Sequence, residues 1–528
     1  MNRSIIEDSL KLIVHSCPPP SSIWCIITGR NVSLYIEKCI KSIVSQKCVS
    51  KVKIAVCDDA STDNTADIVN NLIKHSHNPQ DIFFIKNKER RYKLRNIITL
   101  MNTAPIHTTD ICCFIDGDDW LTSDKSLQIV IDKYMTTGCW VTYGSYKSVT
   151  NDDCCCRTMT SSEKESNNFR NMPWMFSHLF TFRYFLWKSI PESYFVFDED
   201  VLYEFSADIV INIPILELAK SSRIQYISER IYGYNDMNEL NENKISQQKQ
   251  LYVDTKVRTL SPVKNTIFPS YDYVIIIPYR KRFDNLRITY ESVKRSIENT
   301  SLRIHCIVCE NSESPEADLF CKDNGIEYMY IPMFKGSMFN KSLLFDLAVI
   351  CGLPSRGYVC HDVDIFIPRD FWQCIEVNRI HQSVKVLQLF SERRINYLNE
   401  SSTAEIHNGK KKYFEVTDAD LSHKGYGAWG GSIYIDRDVY YKIGGYESWF
   451  FSGHSPEDQS IITKINLKGY KIGFCNSPAI ELYHQWHENI SALNKDIDIM
   501  RGIWEYMKGN KEFTLEYIKD KQSVMDRI

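Results

Sequence analysis

One plan is written twice along this chain. "WCIITGRNVSLYIEKCIKSIVSQ", beginning at Trp24, is a short apolar run, a turn, and a helical stripe with Ile36, Ile40 and Ile43 on one face. "YVIIIPYRKRFDNLRITYESVKRSI", beginning at Tyr273, repeats it, with Phe283, Leu286, Tyr290, Val293 and Ile297 recurring at steps of three and four. A second apolar run follows in each half, "KVKIAVCDD" from Lys51 and "RIHCIVCEN" from Arg303. An acidic pair comes next: Asp116 and Asp118 in "CCFIDGDDW", Asp362 and Asp364 in "HDVDIFIP". Asp362 lies 246 positions beyond Asp116, close to the 250 that separate Pro278 from Thr28 at the ends of the first runs. Strands alternating with helices at a fixed offset predict two tandem copies of one α/β domain.

The length of 528 residues suits that reading. The expected order is a tail over 1–20, a first domain over 21–250, a linker over 251–270, a second domain over 271–505 and a helical tail over 506–528. The seam is read from Asn241 to Pro269, which is polar and poor in periodic apolar residues. A net charge of −3 leaves no nucleic-acid footprint. Apolar runs such as Tyr273 to Tyr279 fall far short of the ~20 residues of a membrane span. The first residues lack the apolar core of a signal peptide, so a soluble, cytoplasmic protein is expected. Adjacent cysteines, Cys112 with Cys113 and Cys154 to Cys156, read as reduced thiols rather than a disulfide framework. Cys306 and Cys309 have a metal-like spacing, but on a strand they point to opposite faces and read as buried thiols.

The acidic pairs constrain function. Residues two apart on a strand face one side, where two anions repel and burial is expensive. A solvated strand end is the plain alternative for one pair. Two pairs at matching offsets, at the carboxyl ends of strands where open α/β sheets bind ligands, point to a cation instead. Oxygen ligands suit magnesium or manganese, which can bridge the phosphates of a nucleotide.

"CDDASTDNTADIV", from Cys57, and "FIDGDDWL" resemble the nucleotide loop and Asp-x-Asp motif of the inverting GT-A glycosyltransferases of family 2, over about Ile23 to Tyr234. The resemblance implies a uracil contact from Asp58 or Asp59, a donor contact from Asp116 and a metal contact from Asp118. The second half, about Tyr273 to Asn489, resembles the β-1,4-galactosyltransferase-like group of family 7 and the chondroitin polymerases. "IPYRKR" then implies donor contacts from Pro278, Arg280 and Arg282, and "FNKSLLFDLA" from Phe339 and Lys341, a lysine where that group has arginine. "HDVDIFIP" supplies Asp362 to the donor and Asp364 to the metal, and "WGGSIYIDRDVYYKIGGYESWF", from Trp429, supplies Gly430 and Gly431.

Glu457 and Asp458 open an apolar helical pattern with Ile461, Ile462 and Ile465. A carboxylate there is favoured by the helix N-terminus, as a simple cap or as a general base. The resemblance aligns Asp458 with the base and Glu457 with its acceptor-binding neighbour. Asp208 lies 90 positions beyond Asp118, as Asp458 lies 94 beyond Asp364, but Ala207 stands where a second acid is usual. By the same resemblance, His484 and His487 in "ELYHQWHEN" stand where that group completes its metal site; the matching stretch of the first half, "ERIYGYNDMNELNEN", has no histidine. In "FSGHSPED", His454 and Pro456 depart from the group's tryptophan and glycine, so the sugar is not carried over.

The expectation is two tandem GT-A domains forming a bifunctional, inverting glycosyltransferase. It would use manganese or magnesium, UDP-sugar donors and a glycan or glycoconjugate acceptor. Alternatives are one active site in the second domain with the first holding acceptor, a nucleotidyltransferase, or a non-enzymatic glycan-binding protein. The nucleotidyltransferase would want a glycine-rich basic loop after the first strand, which "ITGRNVSLY" and "IPYRKRF" lack.

Overall fold

The structure is a computed structural model describing residues 5–527, apart from 77, 151–153, 199–200, 239–246, 264–266, 334–337, 391–393, 427–429, 449–455, 476–480 and 488–496. The chain divides into two compact units: Pro19–Phe268, and Pro269–Ile528 together with Met1–Pro18.

In the amino-terminal unit the strand Ser22–Gly29 is buried over nearly its whole length, as a near-continuous apolar run in a sheet covered on both faces should be. It pairs in parallel with Lys51–Asp58 on one side and Ile111–Asp116 on the other, and Ile82–Lys86 lies beyond Lys51–Asp58. Helix Ile36–Val44 buries Ile36, Cys39, Ile40 and Ile43. Thr181–Arg183 turns antiparallel beside Ile111–Asp116, and Val141–Ser148, Ile224–Tyr234 and Trp120–Leu121 complete eight strands. Strand order reverses at Ser22–Gly29, so the carboxyl ends of three strands open onto one crevice. The stretch expected to begin a linker is instead largely helix: Gln247–Thr259 buries Val253 and Val257, and the Val257 carbonyl accepts a hydrogen bond from Arg170. Arg170 is itself paired with Glu217 at 2.6 Å, both nearly buried.

The carboxyl-terminal unit repeats the arrangement. Tyr271–Tyr279 pairs in parallel with Ile304–Ser312 and Ser355–His361, and Glu327–Pro332 lies beyond Ile304–Ser312. Antiparallel Ser432–Asp436 then leads to Val386–Gln388 and Ile472–Phe474. A smaller four-stranded sheet brings Tyr483–His484 between Ile365–Phe366 and Arg394–Leu398. Cys306 and Cys309 fall in different core clusters on opposite faces of their strand.

Both expected tails belong to this unit. Val14–Ser16 is its eighth strand, antiparallel to Glu327–Pro332, and Ile6 is buried in its core. Three residues are too short a run for alternation to reveal. Helix Lys511–Arg527 buries Ile518, Val524 and Met525. Its Lys521 lies fully buried against Asp346 at 2.6 Å, a charge that would not be tolerated on a detached arm's partner face without its carboxylate.

Candidate active sites

At the crevice of the amino-terminal unit, Asp59, Asp116, Asp118 and Asp208 line one cleft of about 510 Å³. The strand Lys51–Asp58 delivers the first carboxylates. Asp58 is turned to Ser61, whose hydroxyl donates to it. Asp59 accepts the backbone N–H groups of Arg91 and Tyr92 at 2.7 and 3.0 Å, fixing the start of helix Tyr92–Thr103. That helix presents Lys93, whose Nζ lies 2.7 Å from Asp116 and 3.2 Å from Asp208. Asp208 sits in the first turn of helix Ala207–Ala219. Burial pushes its carboxyl up, but Lys93 and His178 outweigh this and hold it below its usual value. Asp118 accepts from Asn238 at 2.6 Å, and burial together with Asp116 raises its pKa.

The carboxyl-terminal unit builds the same constellation from matching elements. Asn340 caps helix Lys341–Cys351 by accepting from the Leu343 N–H at 2.9 Å. Lys341 Nζ then lies 3.2 Å from Asp362, 3.0 Å from Glu457 and 3.6 Å from Asp458, the last two in the first turn of helix Glu457–Leu467. Burial raises the Asp458 carboxyl, Lys341 lowers it, and Glu457 and Asp362 add to the rise, leaving it pushed up to about 8. Gly430 makes room for this carboxylate: it has φ +84°, and a Cβ there would lie 1.9 Å from Asp458 Cγ. Gly431, φ +70°, accepts the Asp362 N–H at 2.7 Å.

Asp364 faces a different set. His487 Nε2 lies 3.1 Å and His484 Nε2 3.5 Å from its oxygens, and Arg282 donates to it. Burial works against ionisation, yet the two imidazoles and Arg282 hold the carboxyl well below the usual range. Arg280 lies 3.3 Å from Glu313, and Arg280, Arg282 and His487 line a cleft of about 650 Å³. Pro278 is buried on the strand opposite Cys309, and Phe339 packs against the core just before the Lys341 helix. Buried His361 ties the acidic turn down, with Nε2 on the Ile365 carbonyl at 2.7 Å and Nδ1 on Ser432 Oγ at 2.8 Å.

One carboxylate and two imidazoles whose ligand atoms lie within 4.8 Å of one another fit a divalent cation at Asp364, His484 and His487. In the amino-terminal unit the corresponding grouping is Asp116, Asp119 and His178, not Asp118. Its ligand atoms are already engaged: Asp116 by Lys93, and Asp119 by the Tyr232 hydroxyl at 2.6 Å and the Asn235 N–H at 2.7 Å. The stretch matching "ELYHQWHEN" has no histidine, and the imidazole at this cleft is His178. His178, stacked on Tyr232 at 4.6 Å, reaches the cleft from a different part of the chain than the one compared. Trp429 and His454 lie outside the described residues.

Residues 24–190 match the family model Glycosyl transferase family 2. This family 2 span contains the four parallel strands and the first acidic pair, and a Rossmann-like α/β glycosyltransferase fold is the result. No curated protein sequence matches the chain. Among solved structures, S. aureus TarS 1-349 in complex with UDP is similar at 17% identity and TM-score 0.33, over 45% of this chain and 64% of that one. The catalytic domain of Drosophila beta1,4galactosyltransferase 7 in complex with xylobiose is similar at 14% identity and TM-score 0.29, over 46% and 81%. Mannosyltransferase PcManGT from Pyrobaculum calidifontis, in complex with GDP-Man and Mn2+, is similar at 16% identity and TM-score 0.34, over 49% and 71%. The chain thus spans less than two thirds of the TarS fragment it matches. No described helix is long and apolar enough to cross a membrane.

Proposed function

We propose that the chain is a bifunctional, metal-dependent, inverting glycosyltransferase. Each unit would transfer a sugar from a UDP-sugar to a hydroxyl of a glycan or glycoconjugate. The observation that supports this reading best is the constellation built twice: a lysine joining the first aspartate of the acidic pair to an aspartate in the first turn of a later helix.

In the carboxyl-terminal unit, Arg280, Arg282 and Lys341 bind the donor diphosphate. Asp364, His484 and His487 would hold a divalent cation, which would supply positive charge to offset that of the nucleotide leaving group. Asp458 takes the proton from the acceptor hydroxyl, whose oxygen attacks the anomeric carbon as the bond to UDP breaks on the opposite face. Glu457 orients the acceptor. In the amino-terminal unit Asp208 is the base, Asp59 and Asp116 hold donor, and Lys93 takes the place of Lys341.

The full-length chain with Asp208→Asn or Asp458→Asn, assayed for UDP release and transfer across a panel of UDP-sugars, tests this. Each variant should lose one donor's transfer and keep the other's. If Asp208→Asn changes nothing while Asp458→Asn abolishes all transfer, the amino-terminal unit is an acceptor-holding module.

A further inference from the structure

Away from both clefts, at the outer edge of the carboxyl-terminal sheet, four ligand-type side chains meet. His15 Nε2 lies 2.7 Å from Glu327 Oε1 and 3.2 Å from Cys17 Sγ. His305 Nε2 lies 2.6 Å from the other oxygen, Glu327 Oε2. The sheet register explains the meeting. His15 pairs with Met329, two residues from Glu327, and Ile307, two residues from His305, pairs with Glu327. All therefore face one side of the sheet. His15 and Cys17 are each 8% exposed and Glu327 3%.

Three kinds of ligand atom converge here: imidazole nitrogen, carboxylate oxygen and sulfur. His15 Nε2 can carry at most one proton, yet it has two close partners, a carboxylate oxygen and a sulfur. Glu327 is a buried carboxylate, and a cation beside it offsets the cost of burying its charge. A divalent ion fits the point where these atoms converge. It takes a lone pair from His15, a thiolate from Cys17 and a carboxylate oxygen from Glu327, and two anionic ligands bring its charge to zero. The thiol proton leaves to solvent on binding. These three ligand atoms lie within 4.8 Å of one another. A tetrahedral zinc ion with bonds of about 2.0–2.3 Å holds its ligand atoms about 3.3–3.8 Å apart, so His15 Nε2, now 2.7 Å from Glu327 Oε1 and 3.2 Å from Cys17 Sγ, has to part from them only slightly to seat it.

We propose that His15, Cys17 and Glu327 form a structural zinc site that fastens the amino-terminal strand to the edge of the carboxyl-terminal sheet. His305 is the outer partner that orients Glu327. Mixed imidazole, thiolate and carboxylate donors select zinc over the magnesium or manganese that oxygen ligands favour. The site is separate from Asp364, His484 and His487, where no cysteine is grouped.

The test uses the full-length protein, stripped of metal and titrated with cobalt(II) alone. A near-ultraviolet thiolate-to-cobalt band should develop with one equivalent. It should vanish in Cys17→Ser, persist in His487→Ala, and persist in His305→Gln with affinity lowered about 10–100-fold. Zinc content after growth with zinc should fall by one per chain in Cys17→Ser. Cobalt binding without a thiolate band in the unaltered protein overturns the proposal, as does a band and zinc content unchanged by Cys17→Ser. Should Cys17→Ser not fold, His487→Ala decides alone: a thiolate band at one equivalent supports the site, and its absence removes it.

Discussion

Lys93 and Lys341 are structural counterparts. Each stands at the start of the helix before its acidic strand, and each joins the first aspartate of the pair to an aspartate at the start of a later helix. Each ammonium, half-buried among carboxylates, is paired, and removing it leaves anions facing one another. Lys341→Met should therefore lower transfer by the carboxyl-terminal unit at least about 100-fold, or about 2.7 kcal/mol, and spare the other unit. Lys93→Met should do the reverse. Assaying the two transfers separately in the same preparations checks both; an equal loss in both units from either change would contradict the pairing.

The two bases should respond differently to pH. Asp458 is pushed up to about 8, and a base acts only when deprotonated. Its rate should therefore fall about tenfold per pH unit below 8. Asp208 is held below its usual value, so its rate should stay flat from about pH 5 to 8. Profiles of kcat with saturating donor and acceptor would show one sloping and one level limb, and Asp458→Asn should remove the sloping activity by about two to four orders of magnitude.

Gly430 offers a steric test. Gly430→Ala forces a Cβ to within 1.9 Å of the Asp458 carboxyl carbon, at φ +84°. Gly409 has a similar φ of +72° but open space around it. Both substitutions should cost about 1–3 kcal/mol of stability from backbone strain. Only Gly430→Ala should also reduce carboxyl-terminal transfer by more than about tenfold, through a displaced base. Melting temperature and kcat measured on both variants separate strain from displacement.

Metal dependence should differ between the sites. Asp364 is grouped with two imidazoles, whereas Asp116 and Asp119 are grouped with one, His178. Chelation should abolish both transfers. Manganese added back should restore the carboxyl-terminal one first, with a half-saturation point at least about tenfold lower, because that site offers one imidazole more. Coincident restoration curves would contradict this reading.

Much of the architecture was legible because it is periodic. Three leading strands of each unit, including the acidic one, are apolar runs, and Asp208 and Asp458 stand where apolar helical patterns begin. What escaped depends on tertiary pairing. Lys93 lies in "NKERRYKLRN", where one useful lysine looks like its solvated neighbours. His178 lies in an aromatic-rich stretch with no ligand spacing to mark it. The strand Val14–Ser16 is defined by a partner some three hundred residues away rather than by a pattern of its own.

That last pairing gives the chain an order of assembly. Val14 to Ser16 are made some three hundred residues before the strand that pairs with them, which ends at Pro332. At about 5–20 residues per second, that short strand waits roughly 15–60 s for its sheet, while the whole of Pro19–Phe268 is made in between. The second unit therefore cannot finish from its own stretch of message: a chain begun at Pro19 would leave the backbone of Glu327–Pro332 unpaired along one edge, an open invitation to another chain.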